Sequence, residues 1–253
     1  MLPEIVTVPC LRDNYAYLVR DPASGATCCV DVPEAAPILA ALAARGWRLD
    51  EIWLTHHHPD HIDGVAALVA ATAARVTGAA ADAHRLPPLH RAVRRGDRLA
   101  LGTLAGEVLE VPGHTIGHVA YVLPGAAFTA DSLMALGCGR LFEGTPAQMW
   151  DSLQRLAALP EDTLVCSGHE YTDSNARFAL TIEPGNPALQ ARAAAVRAAR
   201  AEGRPTVPST LAEERATNPF LRAHLPEIKA ALGLAGAPDA AVFAEIRARK
   251  DRF

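Results

Sequence analysis

The chain has 253 residues, of which 50% are hydrophobic and 21% are charged. This composition is typical of a globular protein and excludes a disordered or fibrous chain. The formal net charge of −4 excludes a broadly basic surface, so the sequence gives no electrostatic reason to expect a nucleic-acid or membrane partner.

The cysteine content and the first residues indicate the compartment. Five cysteines, an odd number without any Cys-x-x-Cys spacing, predict neither a disulfide framework nor a structural zinc site, and they favour a reducing environment. The first residues alternate like a strand and lack a charged segment followed by an apolar run, so we expect no signal peptide. No apolar stretch approaches the roughly 18 residues of a spanning helix. We therefore expect a cytoplasmic protein.

Up to about residue 172, short β-rich segments alternate with alanine-rich helical segments. Strands are predicted at 5–9, 15–19, 27–32, 51–56, 106–113, 119–125, 126–132 and 162–170, each ended by Gly, Pro or Asp. Helices are predicted at 33–46 and 62–74. This pattern indicates an α/β fold with enough strands for two sheets.

Beyond Asp173 the strand pattern ends and the chain is predicted to be helical. Helices are predicted at 172–184, 186–203, 209–218 and 238–250. Thr210 and Glu213 have the spacing of a capping box at the start of the third of these helices. The sequence therefore predicts two domains, an α/β domain at 1–172 and a smaller all-α domain at 173–253.

The strongest motif is THHHPDH, directly after the apolar segment EIWL. In extended backbone alternate side chains share a face, so His56 and His58 converge on one point while His57 points away. The chain then turns into a helix, where Asp60 and His61 offer a carboxylate and an imidazole to a second position. Two donor groups this close together suit a pair of metal ions better than one.

Three further candidate ligands follow predicted strands downstream, namely His114, Asp131 and His169. Small residues precede each of them, which lets the backbone approach a crowded centre. With the first motif they supply five histidines and two carboxylates, enough for two three-ligand sites that share Asp131 and keep positions open for water. A single histidine after a strand is more often an ordinary core or surface residue, but burying seven such groups without a metal would be costly. His118, four residues after His114, is equally consistent with orienting a ligand or with simple packing.

The donor types indicate the chemistry of this set. A structural zinc site is the competing interpretation, but such sites are usually closed and rich in cysteine. Imidazole and carboxylate ligands accept Zn²⁺, Fe²⁺ or Mn²⁺. Two such ions lower the pKa of a water and polarise the electrophile it attacks, which predicts hydrolysis of an acyl or phosphoryl ester. No Gly-x-Ser-x-Gly elbow or phosphate-binding loop offers another mechanism.

The His-x-His-x-Asp-His run followed by the three later ligands resembles the metallo-β-lactamase superfamily, and within it the hydroxyacylglutathione hydrolase family. The similarity covers nearly the whole chain, through LRDNYAYLV, THHHPDHIDG, PGHTIGH, FTADSLMALGCGRLFEGTPAQM, SGHEYT, FALTIEPGNPAL, ATNPFLR and RARKD. The early motifs mark the superfamily only. Other motifs are more specific to the family, namely GCGR, HEYT, NPFLR and the basic pair Arg247 and Lys250 of RARKD.

The resemblance implies an αββα sandwich with two divalent metals, zinc before iron or manganese, followed by the helical domain. It implies one ion held by His56, His58 and His114. It implies a second ion held by Asp60, His61 and His169. Asp131 would bridge the two, and Asp60 and Asp131 would also be catalytic.

The implied reaction is hydrolysis of S-D-lactoylglutathione and related 2-hydroxyacylglutathiones to glutathione and D-lactate or its analogue, the second step of methylglyoxal detoxification. Arg247 and Lys250, three residues apart on one helix, would bind the glycine carboxylate of glutathione, with Arg140 and Tyr171 also lining that site. Basic residues in a last helical turn can instead serve only to offset the helix dipole. Phe142 stands where some relatives carry tyrosine.

Three other kinds of protein remain as alternatives, of which a purely structural or binding module is the least favoured. Another enzyme of the same superfamily, such as a persulfide dioxygenase or a lactonase, would share the ligands, but the tail with NPFLR and RARKD argues against it. A nucleic-acid-processing phosphodiesterase would need a basic channel or an added RNA-binding segment, which the acidic charge does not favour. We expect a monomer that acts on a small glutathione thioester.

Overall fold

Apolar segments in the first hundred residues form a six-stranded sheet in the computed structural model, which describes residues 1–253. In spatial as well as chain order, its strands are β1 (Glu4–Cys10), β2 (Asn14–Arg20), β3 (Thr27–Val30), β4 (Glu51–Trp53), β5 (Arg75–Ala79) and β6 (Arg91–Val93). β1, β2 and β3 pair antiparallel, whereas β3 to β6 are parallel. The carboxyl ends of β3, β4 and β5 therefore share one edge, where parallel sheets commonly carry functional side chains.

Helices cover one face of this sheet. They are α1 (Ala35–Arg45), α2 (Pro59–Ile62) and α3 (Val65–Thr72). Ile38 of α1 and Leu68 of α3 belong to the same buried cluster as Leu18 and Ile52 of the sheet. The helix predicted at 62–74 begins only at Val65, after a tight turn at Gly64 whose N–H donates to the carbonyl of Val32.

A second, antiparallel sheet packs on the opposite face. Four of its six strands are, in spatial order, β7 (Arg98–Leu101), β8 (Leu104–Glu110), β9 (Val119–Leu123) and β10 (Ala126–Ala130). Ring centroids are 5.8 Å apart for Tyr17 and Phe128 and 5.3 Å apart for Trp53 and Tyr121. The buried Tyr121 hydroxyl donates to the carbonyl of Leu54 at 2.7 Å. Apolar contacts and satisfied polar groups thus join the two sheets.

These elements lie in one of two compact units, which we call unit 1, Met1–Glu110 with Ile116–Ala130, and unit 2, Val111–Thr115 with Asp131–Phe253. The elements of unit 2 are β11 (Leu133–Met134), β12 (Gly137–Cys138), α4 (Pro146–Ala157), β13 (Leu164–Ser167), α5 (Thr172–Ile182), α6 (Pro187–Ala201), β14 (Ser209–Thr210), α7 (Leu211–Thr217), α8 (Pro226–Ala231) and α9 (Asp239–Arg252). Phe220 packs between Phe178 and Phe243, with ring centroids 6.0 and 5.8 Å away. Aromatic packing therefore joins α5 and α9 through Phe220, which lies outside both helices.

The predicted fold class, α/β strands followed by a helical C-terminal part, is confirmed. The predicted capping box is present, since Thr210 accepts from the N–H of Glu213 and Glu213 accepts from the N–H of Thr210. The boundary between 1–172 and 173–253 stays a prediction. No helix combines the length and the apolar character needed to cross a bilayer.

Candidate metal centre

The four ligands predicted in THHHPDH lie together in unit 1, where β4 ends and α2 begins. His56 Nε2 and His58 Nδ1 are 3.1 Å apart, and His56 is fully buried. The His61 ring centroid is 4.2 Å from that of His56, and His61 Nε2 is 3.8 Å from Asp60 Oδ2. Proline at the first position of α2 starts the helix immediately after the extended segment, which places Asp60 and His61 beside the first two imidazoles.

Asp31, which lies outside the sequence motifs described above, belongs to the same cluster. One oxygen atom of Asp31 and one nitrogen atom each of His56 and His61 all lie within 4.8 Å of one another. Asp31 Oδ2 accepts from His61 Nδ1 at 2.9 Å and from Thr55 Oγ1 at 2.8 Å. A carboxylate on Nδ1 fixes the tautomer and leaves Nε2 as the ligand atom. The only signal in the sequence was an aspartate at the end of an apolar strand, because the pairing that brings β3 beside β4 is visible only in the structure.

Other polar residues of unit 1 orient the cluster. Asn14 Nδ2 donates to Oδ2 and to the carbonyl of Asp60, both at 3.0 Å. His57 Nδ1 is 3.0 Å from the buried Asp82 Oδ2, so this imidazole has a partner of its own. The buried ring of His118 stacks on His56, with centroids 4.6 Å apart and planes 14° apart. These contacts restrict the rotamers of the candidate ligands.

The three later ligands meet in unit 2. Asp131 Oδ2 lies 3.4 Å from His114 Nε2 and 3.3 Å from His169 Nε2. All three residues are buried. His114 Nδ1 donates to the carbonyl of Arg140 at 2.7 Å, which leaves its Nε2 directed at the carboxylate.

The backbone around His114 and Asp131 is closely packed. A Cβ atom at Gly113 would lie 2.7 Å from Met149 Cβ of α4, so glycine is needed where this helix supports the histidine loop. A Cβ atom at Gly139 would lie 2.0 Å from the carbonyl oxygen of Asp131. Small residues are therefore required around both candidate ligands, as expected for a crowded centre.

The predicted substrate cations gather around one carboxylate of unit 2. Asp251 Oδ1 accepts from Arg247 Nε and Nη2, at 3.1 and 2.9 Å, and lies 3.6 Å from Arg140 Nε. Arg247 is buried and also donates to the carbonyl of Cys138 at 2.9 Å, whereas the Arg140 side chain is 61% exposed. Two guanidinium groups against one carboxylate leave a net positive site.

Lys250 adds a third cation to this region. Its Nζ lies 3.3 Å from Ser174 Oγ and 5.3 Å from the ring centroids of Phe178 and Phe253. Burial, together with the charges of Arg247 and Arg177, lowers the pKa of Lys250 to about 8.

Tyr171 and Phe142 flank two of the candidate ligands. The Tyr171 ring stacks on His169 with centroids 4.6 Å apart, and the exposed Phe142 ring is 5.3 Å from the ring of His114. Cys138 is buried, and burial raises the pKa of its thiol to about 11. A buried thiol with a raised pKa is typical of a packed residue rather than of an activated nucleophile.

The donor set fits divalent metal ions. Each unit gathers imidazole nitrogens and carboxylate oxygens in a largely buried place, which is the ligand chemistry of Zn²⁺, Fe²⁺ and Mn²⁺. No cysteine is present among these donors. The residues therefore support divalent metal binding without selecting the element.

Comparisons with known proteins find similarity along nearly the whole chain. The sequence-family model described as "Metallo-beta-lactamase superfamily" matches residues 23–169. The family model described as "Hydroxyacylglutathione hydrolase C-terminus" matches residues 170–253. A hydroxyacylglutathione hydrolase from Cereibacter sphaeroides is 67% identical over 252 residues, 99% of each chain.

Solved structures show the same fold. The BLEG-1 B3 metallo-β-lactamase superposes with a TM-score of 0.67 at 21% identity, over 86% of this chain and 99% of that one. TTHA1623 in a di-iron-bound form superposes with a TM-score of 0.57 at 31% identity, over 66% of this chain and 91% of that one.

Proposed function

Because the chain belongs to the hydroxyacylglutathione hydrolase family of the metallo-β-lactamase superfamily, we propose that it hydrolyses S-D-lactoylglutathione and related 2-hydroxyacylglutathiones. The products are glutathione and D-lactate or the corresponding 2-hydroxy acid, in the second step of methylglyoxal detoxification. The observation that carries this proposal is the 67% identity to a hydroxyacylglutathione hydrolase over 99% of both chains. The enzyme class is thioester hydrolase.

The proposed cofactor is a pair of divalent ions, with zinc as the first choice. One set of ligands comprises His56, His58 and His114. The other comprises Asp60, His61 and His169. Asp131 is proposed as the bridging ligand, and its Oδ2 already faces two imidazole nitrogens. When bound, the ions would supply a nucleophilic water at neutral pH and polarise the thioester carbonyl.

The side chains have separate tasks in this reaction. Asp60 and Asp131 are proposed to orient the attacking water and to accept its proton, and Asn14 fixes the carboxylate of Asp60. As the carbon–oxygen bond forms, the carbon–sulfur bond breaks and glutathione leaves as a thiolate. Because a thiol has a pKa near roughly 8.5, this leaving group needs no strong general acid.

Arg140, Arg247 and Lys250 are proposed to bind the tripeptide, with Tyr171 as a further contact. Glutathione carries two carboxylates, and the excess of cations around Asp251 is complementary to them.

Residues 173–253 would then form the substrate-binding domain beside a metal-hydrolase domain at 1–172. We also propose that the protein is a cytoplasmic monomer with no nucleic-acid or membrane partner.

A direct assay separates this proposal from its alternatives. Protein purified without added metal is analysed for zinc, iron and manganese, and its rates on S-D-lactoylglutathione, glutathione persulfide and a lactone are compared. We expect about two equivalents of metal and a clear preference for the thioester. A preference for the persulfide or the lactone would overturn the assignment, and His56→Ala is the control that should lose both metal and turnover.

A further inference from the structure

The β11–β12 hairpin directly follows Asp131, and side chains from far along the chain bond its backbone. Asn218 Nδ2 donates to the carbonyls of Met134 and Gly137, at 3.1 and 3.0 Å. Asn175 Nδ2 of α5 donates to the carbonyl of Ala135 at 3.0 Å. Three carbonyl groups of this buried turn thus accept hydrogen bonds from side chains of the C-terminal region.

Glu214 of α7 is the centre of this network. It is fully buried, and its Oε2 accepts from the N–H of Leu136 at 2.8 Å and from Asn218 Nδ2 at 3.0 Å. Its Oε1 accepts from Ser209 Oγ at 2.6 Å and forms an ion pair with Arg192. Four donors fill the acceptor sites of one carboxylate, and an amide with its NH₂ group could not accept them all.

The hairpin leads from this network to two candidate ligands. Gly139 follows β12, its N–H donates to the carbonyl of Ser132 at 3.2 Å, and its Cα approaches Asp131 closely. The next residue, Arg140, supplies the carbonyl that accepts from His114 Nδ1. The backbone of the hairpin therefore controls the position of Asp131 at its start and of His114 at its end.

We propose that Glu214 and Asn218 are positioning residues of the metal centre, which act through the β11–β12 hairpin on Asp131 and His114. This inference rests on the proposed ligand set. It gives the NPFLR motif, which begins at Asn218, a role in building the ligand cluster of unit 2. The C-terminal helices then support metal binding as well as substrate binding.

The test uses full-length protein loaded with Zn²⁺, with the variants Glu214→Gln and Asn218→Ala. Zinc affinity is measured by competition with a chelator, and hydrogen exchange is measured on peptides that cover residues 131–140. We expect zinc affinity to fall by roughly 10-fold or more, as for other residues that orient ligands. Exchange across the hairpin should become faster, and kcat should fall more than KM changes.

Asn186→Ala is the matched control, because Asn186 caps α6 in the same unit and its hydrogen-bond partners lie outside the hairpin. It should lower thermal stability but leave zinc affinity and hairpin exchange as in the unmodified chain. Asn175→Ala is a second variant for the case that Asn218→Ala does not fold. It removes a single hydrogen bond to the hairpin, so we expect a smaller loss of zinc affinity and a smaller increase in exchange.

Folded Glu214→Gln and Asn218→Ala proteins with unchanged zinc affinity would overturn the inference, as would an equal loss of affinity in Asn186→Ala. Failure of the proposed function has a different result. In that case the unmodified protein binds no zinc or does not cleave the thioester, while hairpin exchange still shows whether Glu214 and Asn218 hold the Asp131 segment.

Discussion

Asp31 has a backbone φ of +55°, in a region that costs a residue other than glycine roughly 1–2 kcal/mol. Its carboxylate compensates through three hydrogen bonds, from the N–H and the hydroxyl of Thr55 and from His61 Nδ1. Strained residues of this kind often occur at functional sites. Here the strained residue directs its carboxylate at His61, a candidate ligand in α2.

Asp31→Asn should weaken metal binding by about 10- to 100-fold, because the amide no longer fixes the His61 tautomer. Chelator competition measures this change. Asp21→Asn is the control, since Asp21 is a buried carboxylate that bonds Ser24 and Thr103 instead of a candidate ligand. Equal affinities for the Asp31 variant and the unmodified protein would remove Asp31 from the centre.

Lys250 should make substrate binding depend on pH. Its pKa of about 8 means that the ammonium group loses its proton as the pH rises through that value. We therefore expect KM for glutathione thioesters to increase above pH 8 in the unmodified protein and to stay flatter in Lys250→Arg, because arginine keeps its charge. Parallel pH profiles for the two proteins would show that Lys250 does not bind the substrate.

The stability of the folded protein should rise over the pH range in which substrate binding becomes weaker. The folded-state pKa of Lys250 lies below its ordinary value of 10.5, so between about pH 8 and 10.5 the unfolded chain binds more protons. The contribution of this residue to the free energy of unfolding therefore rises with pH across that window. Denaturant unfolding at several pH values, compared with Lys250→Met, measures this contribution.

Site residues could be predicted from the sequence where they lie close together along the chain. His56, His58, Asp60 and His61 lie within six residues, so alternation along the chain was enough to group them. Asp31 joins them only through the pairing of β3 with β4, and that pairing is not readable from the sequence. The partners of buried side chains depend in the same way on the tertiary structure.

At the scale of elements, capping residues were the most reliable local signal. Thr210 starts α7 as predicted, and the same spacing at Thr145 and Gln148 starts α4, a helix that the apolar pattern did not reveal. β5 and β6 were not predicted, because β5 contains Gly78 and β6 has only three residues. Short parallel strands are formed by neighbouring strands rather than by their own propensity.

Gly139, directly after the β11–β12 hairpin, should be sensitive to added volume. In Gly139→Ala the new methyl group would overlap the carbonyl oxygen of Asp131, and we expect a loss of roughly 1–3 kcal/mol in the free energy of unfolding, with weaker metal binding. Denaturant unfolding and chelator competition measure the two effects. Gly185→Ala, where nothing lies within 4 Å of the added atom, should be close to neutral, and similar losses in both variants would contradict the steric argument.

At the scale of the whole molecule, each compact unit is built from two separate stretches of the chain. Unit 2 takes Val111–Thr115 and Asp131–Phe253, so His114 and Asp131 belong with the C-terminal helices, while His56 to His61 belong with the strands of unit 1. The sequence predicted the fold class, which is confirmed, and a set of candidate ligands, which stays a prediction. It could not reveal this grouping, because the grouping depends on contacts between residues that are 40 to 109 positions apart.

Removal of residues 173–253 should therefore disrupt folding of the His114 and Asp131 segments and reduce metal binding below two equivalents. The truncated chain would leave the hairpin carbonyls without the Asn218 and Asn175 donors. Circular dichroism and metal content measure the result. Arg140→Ala in the full chain is the control, expected to raise KM with metal content unchanged, and a truncated protein that binds two metal equivalents would contradict the division.

The bond from Arg247 to the carbonyl of Cys138 spans 109 residues, and this distance has a consequence for synthesis on the ribosome. At about 5–20 residues per second, translation takes roughly 5–20 s to reach the arginine after the cysteine. During that interval the nascent chain carries its histidine and aspartate donors without their final supports. We therefore expect the segment around Cys138 to reach its final hydrogen bonding only after the last helix has been synthesised.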